Sequence, residues 1–368
     1  MTAQIQPRTS HENNFDLIRL FAACQVVLNH AVDHLGLKLP YHQIASNILS
    51  AFPGVPIFFI VSGFLISQSF DRSRTNLDFF KNRVLRIFPA LWLCFVLSIF
   101  IIYLTGYFAK SDVSFIDFCI WALSQLTFAQ FYNPDFMRGF GNGVLNGSLW
   151  TIPVEMQFYI LTPLIFGLYK FWKRTFWAAL SLFILANFIL TSGLVEGIGG
   201  DIAKKLFSVT FIPWIYMFML GLLSYIKWEL IEKYIKEKFI FWFAIYASFA
   251  LLNLFFNIGI QGNKIALPWV ILIAPLVLSA AFTKPNLSGR ILRRNDVSYG
   301  LYIYHMPVFN FVIYSVGAIT LPVIWLALLA VPTLAWISWK FVERPALSLK
   351  RYAFADFIAR RSKRVEID

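Results

Sequence analysis

The stretch FDLIRLFAACQVVLNHAVDHLG, residues 15–36, decides the class of fold. It is long and apolar enough to cross a bilayer as one helix, since about 20 apolar residues span the hydrocarbon core. Arg19 and His30 interrupt it, eleven residues apart. That spacing is about three helical turns, so both side chains share one face, about 16 Å apart. Ionisable groups inside a span are costly and usually functional, so we predict a site on this face.

A structural ion pair is the alternative explanation for these two residues. Asp16 lies three residues before Arg19, a spacing that brings side chains together on a helix. In that case Asp16 neutralises Arg19, and His30 is capped near the outer interface.

The composition extends this interpretation to the whole chain. Apolar residues make up 58% of the 368 positions and charged residues only 14%. These values override the expectation of soluble domains that the length alone suggests, and they indicate an all-α, polytopic integral membrane protein. About ten transmembrane helices are predicted, near residues 14–35, 48–70, 84–107, 148–170, 174–193, 207–227, 238–258, 265–282, 297–316 and 320–341. An eleventh run, 115–131, is shorter and more polar, and we expect it not to cross.

Lysine and arginine set the orientation. With the N terminus inside and ten spans, most of the 32 basic residues fall on inside segments, as the positive-inside rule requires. We therefore predict cytoplasmic termini, a transmembrane domain over residues 1–349 and a basic cytoplasmic tail over residues 350–368 that contacts membrane lipids. The same topology explains the net charge of +13 without a nucleic-acid partner.

Glu155 is the carboxylate that we expect beside His30. It follows Ser148, where the fourth predicted span begins, and lies about 10 Å below the outer face, in the layer of His30. A carboxylate orients a histidine ring and stabilises its cation, which favours a general-base pair. Pro153 is expected to free a backbone carbonyl and open a polar pocket there. A protonated Glu155 that only bonds a neighbouring helix is the alternative.

A second group is predicted near the cytoplasmic side. Arg83 and Arg86 lie three residues apart, and guanidinium groups pair bidentately with phosphates. Ordinary positive-inside charge is the alternative. Tyr299 and His305 share a polar face of the ninth predicted span, with His305 about 12 Å from the cytoplasmic side and level with Arg19. We assign both to the same ligand-binding group, although His305 could be a hydrogen-bonded structural residue.

Other motifs are scarce. The histidines are scattered, and Cys24, Cys94 and Cys119 lie in apolar runs without metal spacing, so we expect neither a metal site nor a disulfide framework. GxSxG, Walker A and GxGxxG motifs are absent from the sequence. The long tract 108–147 is predicted to face outside, and we interpret it as a lid or acceptor-facing loop.

Six blocks in order resemble the membrane-bound acyltransferase 3 family. They are NNFDLIRLFAACQVVLNH, FFIVSGFLIS, FFKNRVLRIFPALW, NGSLWTIPVEMQFY, VSYGLYIYHMP and FVERPA. The blocks run from the first predicted span to the last, so the resemblance covers nearly the whole chain.

The resemblance implies an O-acyltransferase of the bacterial inner membrane. Such an enzyme moves an acyl group, usually acetyl, from cytoplasmic acetyl-CoA or another acyl-CoA to a hydroxyl of a carbohydrate or lipid-linked glycan at the outer side. The resemblance places the essential pair on Arg19 and His30, and the coenzyme A contacts near Arg83 and Arg86. A chain that stops soon after its tenth span is expected to be the stand-alone form.

Two mechanisms and two other classes of protein stay open at this point. His30 acts as general base on the acceptor hydroxyl, or it is itself acylated and passes the group on. A transporter or flippase would instead use Arg19, Glu155 and His305 as an intramembrane polar path. A structural subunit of a glycan-assembly complex is the third possibility. Consumption of acyl-CoA separates the enzyme from the transporter.

Overall fold

The computed structural model describes residues 13–38, 41–191, 205–256, 263, 266–293 and 295–351. All the regular structure of these residues is helical, which confirms the all-α fold class. The helices are α1 (Phe15–Leu35), α2 (His42–Ala51), α3 (Gly54–Arg72), α4 (Asn76–Leu104), α5 (Tyr107–Lys110), α6 (Phe115–Leu126), α7 (Thr151–Phe171), α8 (Lys173–Thr191), α9 (Ile215–Ile226), α10 (Trp228–Tyr234), α11 (Phe239–Phe256), α12 (Leu267–Phe282), α13 (Leu287–Leu292), α14 (Ser298–Ser315), α15 (Leu321–Ser338) and α16 (Arg344–Ser348). A π-helical stretch, Trp339–Glu343, joins the last two.

Five stretches of the described chain are long and apolar enough to cross a membrane: Phe15–Leu35, Ile44–Arg72, Asn76–Leu104, Gly147–Phe171 and Leu321–Ser348. Shorter apolar helices accompany them. Every predicted span overlaps a helix, so the positions agree, while the number ten stays a prediction. The run 115–131 contains a helix of only 12 residues, about 18 Å long, which is less than the hydrocarbon core.

Helices α3 and α9 touch backbone to backbone. A Cβ added to Gly63 would collide with the carbonyl oxygen of Phe218, and a Cβ on Gly221 would collide with that of Ile60. Small residues at a crossing let two membrane helices approach this closely, which adds dispersion contacts where lipid supplies no hydrophobic drive. Helices α3 and α9 are therefore in close backbone contact at this crossing.

Helix α14 lies at the centre of the bundle, with nearly all its residues buried, and it contacts α1, α4 and α15. Pro307 removes one backbone donor from it, which leaves the carbonyl of Ile303 without its usual partner. The Asn146 amide donates to that carbonyl at 2.7 Å and the Cys94 thiol at 3.2 Å. The freed backbone group therefore ties α14 to its neighbours.

Pro153 behaves differently from its predicted role. Helix α7 begins at Thr151, which places Pro153 in the first turn, where a backbone N–H has no partner within the helix. The expectation that Pro153 frees a carbonyl inside the helix, and so opens a polar pocket, is therefore wrong.

Candidate active site

A cavity of about 860 Å³, which we call the basic cavity, lies between α1, α3, α4 and α7. Seven lysine and arginine residues line it, against four carboxylates. Its charged lining residues are Asp16, Arg19, Arg72, Arg74, Asp78, Lys81, Arg83, Arg86, Glu155, Asp296 and Lys350. The excess of positive charge suits an anionic ligand.

Asp296 organises one wall of the basic cavity. The guanidinium groups of Arg19 and Arg86 each approach its Oδ2 at 2.5 Å, and the Ser298 hydroxyl donates to Oδ1 at 2.5 Å. Burial by itself raises the pKa of Asp296, but the two arginine charges and the bonds from Ser298 hold it well below its ordinary value. The carboxylate is therefore ionised and shared by both cations. Arg19 pairs with Asp296 and not with Asp16, the alternative partner from the sequence.

Arg83 and Arg86 have different surroundings. The Arg83 guanidinium donates to the Ser69 hydroxyl at 3.0 Å and lies over the Tyr159 ring, 5.7 Å from its centre. Arg86 is held by Asp296 and lies 4.0 Å from the buried carboxylate of Glu343. Arg83 therefore keeps more of its donor capacity for a ligand.

Tyr299, which the sequence assigns to the ligand-binding group, lies beside Arg86 and is not among the residues that line the basic cavity. The Arg86 guanidinium lies 6.0 Å from the centre of the Tyr299 ring, and the Tyr299 hydroxyl donates to the carbonyl of Ile87 at 3.2 Å. The Tyr299 ring therefore packs against the Arg86 guanidinium. His305, assigned to the same group from the sequence, lies elsewhere.

Lys350 also lines the basic cavity. Burial lowers the pKa of Lys350 to about 7, and the positive charges of Arg83, Arg86 and Arg19 act in the same direction. Its ammonium group is thus only partly charged near neutral pH.

Glu155 belongs to the basic cavity. Its Oε1 accepts a hydrogen bond from the Tyr159 hydroxyl at 2.5 Å, and the Ser62 hydroxyl lies at 3.4 Å. The expected pairing of Glu155 with His30 is wrong. The pocket around His30 lies at the level of Ser148, seven residues earlier in the chain, which is about 10 Å of helix.

A second space of about 260 Å³, the histidine pocket, surrounds His30. It is lined by Val26, His30, His34, Val55, Asn142, Val144, Gly147, Ser148, Trp150, Asn263, Tyr302 and Met306. The Nδ1 atom of His30 lies 2.8 Å from Nε2 of His305. His305 is therefore level with His30, and its expected position level with Arg19 is wrong.

The two contacts show how α1 and α14 lie together. Arg19 meets Asp296 at one end, and His30 meets His305 at the other. Residue numbers rise in the same direction along both helices, so α1 and α14 are parallel. The predicted depth of His305 is wrong because it is counted from the start of its own span, without regard to how α14 is aligned with α1.

The loop before α7 borders the histidine pocket. The side-chain amide of Asn310 on α14 donates to the carbonyls of Val144 and Leu145, both at 2.8 Å, and its oxygen accepts from the Asn142 backbone at 2.9 Å. Gly141 has a φ of +57°, and a Cβ there would collide with Asn310. This clip holds the end of the predicted acceptor-facing loop beside His30 and His34.

No cluster of three or more histidine, cysteine, aspartate or glutamate side chains that could hold a metal occurs among the described residues. The three cysteines are free. The described lining of the two cavities offers arginine, lysine, carboxylate and histidine side chains.

The family model described as "Acyltransferase domain" matches residues 12–341. The chain belongs to this acyltransferase 3 family. The match covers most of the sequence, including all the described lining of the histidine pocket and all of the basic cavity except Leu347 and Lys350. It confirms the resemblance and the prediction of an acyltransferase enzyme, and it does not favour the transporter alternative.

Curated relatives of this acyltransferase 3 chain include Nodulation protein 10 of Rhizobium leguminosarum bv. viciae, 32% identical over 360 residues, or 93% of this chain and 95% of the relative. An O-acetyl transferase of Shigella phage Sf6 is 29% identical over 353 residues, covering 92% and 97%. O-acetyltransferase OatA of Staphylococcus aureus (strain NCTC 8325 / PS 47) is 29% identical over 349 residues, covering 86% of this chain and 56% of that protein. No solved structure matches.

Sequence reasoning missed Asp296, Glu343 and Lys350 in this acyltransferase 3 chain. The first two lie next to or within the blocks VSYGLYIYHMP and FVERPA. An acidic residue at the edge of a span that is otherwise flanked by basic residues is the signal that could have found Asp296. Lys350 was counted as the first residue of the tail.

Proposed function

We propose that this protein is a membrane O-acetyltransferase. It takes an acetyl group from acetyl-CoA at the cytoplasmic side and transfers it to a hydroxyl of a carbohydrate or lipid-linked glycan at the outer side. Two relatives are named O-acetyltransferases, which supports the acetyl group. The two cavities support the donor, the sides and the acceptor class.

The basic cavity is the proposed donor site. Coenzyme A carries phosphates, which arginine binds through paired hydrogen bonds. Arg83, Lys350 and the basic residues around them supply positive charge on a cavity large enough for a nucleotide. Glu155 and Ser62 lie where the thioester arm would leave this cavity.

The arrangement that carries the proposal is the thin layer between the two cavities. Helix α1 lines the basic cavity with Arg19 and the histidine pocket with Val26. Helix α3 lines the basic cavity with Val61 and the histidine pocket with Val55. The offsets are seven and six residues, or about 10 Å of helix.

Two further segments repeat this offset. Near the start of α14, Asp296 lines the basic cavity and Tyr302 lines the histidine pocket. Around the start of α7, Glu155 lines the basic cavity and Ser148 lines the histidine pocket. A pantetheine arm held in the basic cavity would therefore cross only this layer to bring the thioester to His30.

The histidine pocket is the proposed transfer site. The acetyl group passes from sulfur to the acceptor oxygen there, with His30 as general base or as a transient acetyl carrier. Asn142 and Ser148, two polar residues that line this pocket, lie where a hydroxyl acceptor would enter. Arg19 is not in contact with His30, and we assign it the role of fixing α1 against α14 through Asp296.

The topology fits this arrangement. Parallel α1 and α14 agree with the predicted first and ninth spans, which run in the same direction when ten spans cross. Lys350 begins the predicted cytoplasmic tail and lines the basic cavity, which supports a cytoplasmic position for that cavity. The number of spans, the cytoplasmic termini and the division at residue 349 belong to this proposal.

Radiolabelled acetyl-CoA and protein in nanodiscs test the function. Wild type should bind acetyl-CoA and turn it over or become labelled. His30→Ala should bind it with similar affinity, while turnover falls by about 10²–10⁴-fold, the usual contribution of a catalytic base.

Cys24→Ala is the matched control, because Cys24 is exposed on the same helix and lines neither cavity. It should behave as wild type. Retained turnover in a folded His30→Ala protein removes the assignment of His30, and absence of acetyl-CoA binding by wild type removes the donor.

A further inference from the structure

The hydrogen bonds around His305 determine which of the two rings, His30 or His305, donates in their contact. His30 Nδ1 lies 2.8 Å from His305 Nε2, and His305 Nδ1 lies 3.3 Å from the carbonyl oxygen of Leu301. A carbonyl oxygen can only accept a hydrogen bond. The Nδ1 atom of His305 must therefore carry a proton.

A neutral imidazole has one N–H and one bare nitrogen. With Nδ1 protonated, Nε2 of His305 is the bare nitrogen and can only accept. The partner that donates to it is then Nδ1 of His30. No carboxylate occurs among the described residues that line the histidine pocket, so a charge on His30 would have no partner there and its ring is neutral as well. Its remaining nitrogen, Nε2, therefore carries the free lone pair.

The surroundings of His305 hold it in this state. Its side chain is fully buried, at 0% exposure. The Phe309 and Tyr302 rings pack edge-on, with centroids 5.7 and 6.1 Å from that of His305. A fully buried imidazole cannot take up a second proton without a partner that offsets its charge. His30, in contrast, is half-buried and borders the histidine pocket.

We propose that His305 is a positioning residue that fixes the tautomer of His30 and leaves Nε2 of His30 as its reactive atom. The proposal rests on the transfer chemistry assigned above and replaces the coenzyme-binding role that the sequence suggested for His305. In a histidine–carboxylate pair, the carboxylate orients the reactive ring directly. Here the carbonyl of Leu301 orients His305, and His305 in turn orients His30.

Both routes of acetyl transfer need this lone pair. In direct transfer, the acceptor O–H proton moves to Nε2, the C–O bond forms, and the C–S bond breaks with its electrons on sulfur. The imidazolium then returns the proton to the thiolate. In the covalent route, Nε2 forms the C–N bond as C–S breaks. The acceptor oxygen later displaces the imidazole, and its proton goes to the thiolate.

Nitrogen NMR of protein labelled with ¹⁵N-histidine tests the proposal without any substrate. The chain has five histidines, so loss of one signal set in His30→Ala assigns His30. Wild type should show a protonated Nδ1 and a bare Nε2 at His30. In His305→Phe, which keeps a ring and removes the acceptor, the His30 signals should become those of a tautomer mixture.

Turnover supplies the second readout. His305→Phe should lower kcat for acetyl transfer about a hundredfold or more, within the range for a mispositioned base, with acetyl-CoA affinity unchanged. His305→Gln should recover much of the loss, because its amide oxygen can accept from Nδ1 of His30. If His305→Phe does not fold, the wild-type spectrum and His305→Gln still decide the matter.

A protonated Nε2 at His30 in wild type, or an unchanged kcat in folded His305→Phe, overturns the proposal. Its failure is separable from that of the proposed function. A wild-type protein that shows the expected tautomer but never uses acetyl-CoA refutes the function and leaves the positioning role of His305. Transfer from acetyl-CoA with the opposite tautomer refutes the positioning role alone.

Discussion

Arg19 on α1 bonds to Asp296, 277 positions later in the chain, at 2.5 Å. Asp296 also holds Arg86 of α4, so one carboxylate joins three segments that are far apart in sequence. The same α1 meets α14 again through His30. The first helix is therefore positioned by polar contacts at two levels, and Arg19 acts on the histidine through the helix that carries both.

Asp296→Asn should destabilise the protein strongly. The substitution keeps the shape but leaves Arg19 and Arg86 close together without the charge that they share, and removing one member of a buried ionic group costs about 3–5 kcal/mol. Thermal unfolding in detergent measures the effect. Asp135→Asn, at an exposed position of a 3₁₀ turn, should leave the midpoint unchanged, and an equal midpoint for both variants contradicts the structural role of Asp296.

Arg83→Ala and Arg86→Ala should differ in kind. Loss of Arg83 removes a donor that faces the basic cavity, so acetyl-CoA affinity should fall about tenfold to a hundredfold, the equivalent of a charged hydrogen bond. Its unfolding midpoint should change little. Loss of Arg86 leaves Asp296 and Glu343 with less positive charge and should lower both affinity and stability. Affinity and midpoint measured on the same preparations separate the two, and identical behaviour would refute the distinction.

The affinity for acetyl-CoA should depend on pH through Lys350. Its pKa is lowered to about 7, and a lysine is charged below its pKa, so binding of a phosphate-bearing ligand should strengthen as the pH falls from 8 towards 6. Ligand phosphate groups also titrate near pH 6.

Lys350→Arg therefore serves as the matched control, because arginine stays charged throughout this range, so its curve contains the titration of the ligand and of the other protein groups but not that of position 350. Dissociation constants at several pH values measure both curves. A wild-type curve parallel to that of Lys350→Arg would remove Lys350 from the donor site.

Gly221→Ala should disturb the crossing of α3 and α9. The new methyl group would meet the carbonyl oxygen of Ile60, which belongs to the backbone and cannot rotate away, so overpacking should cost about 1–3 kcal/mol. Gly167→Ala is the matched control, since a Cβ there has open space. Folded yield and unfolding midpoint compare them, and an unaffected Gly221→Ala protein would show that the crossing tolerates separation.

The sequence predicted the helices and one half of each polar contact. Apolar runs are long and continuous enough to show where helices form, and helical geometry alone brings Arg19 and His30 to one face of α1. Their partners could not be predicted, because Asp296 and His305 belong to a distant segment of the chain, and one sequence contains no direct record of which segments touch. Pairing requires the packed bundle.

Depth counting failed at Glu155 for a different reason. The predicted depth of Glu155 is measured from Ser148, on the assumption that the start of the span lies at the membrane surface. The histidine pocket instead lies level with Ser148, where a 3₁₀ turn, Gly147–Trp150, precedes α7. Polar loop backbone enters the bundle there, stabilised by Asn310, so the surface of the protein and the start of the helix do not coincide.

The layer between the two cavities has a consequence for the energy supply of the cell. On α1, the ten residues between Arg19 and His30 carry no charge, and Val26, Val55 and Val61 lie at its borders. Under the proposed topology, one cavity opens to each side of a membrane that stores a proton gradient. A chain of water through this layer would let protons leak, whereas a slender, mostly neutral thioester arm can cross between valines without one. In this topology, the thin neutral layer that gives the acetyl group a short route would also seal the membrane against protons.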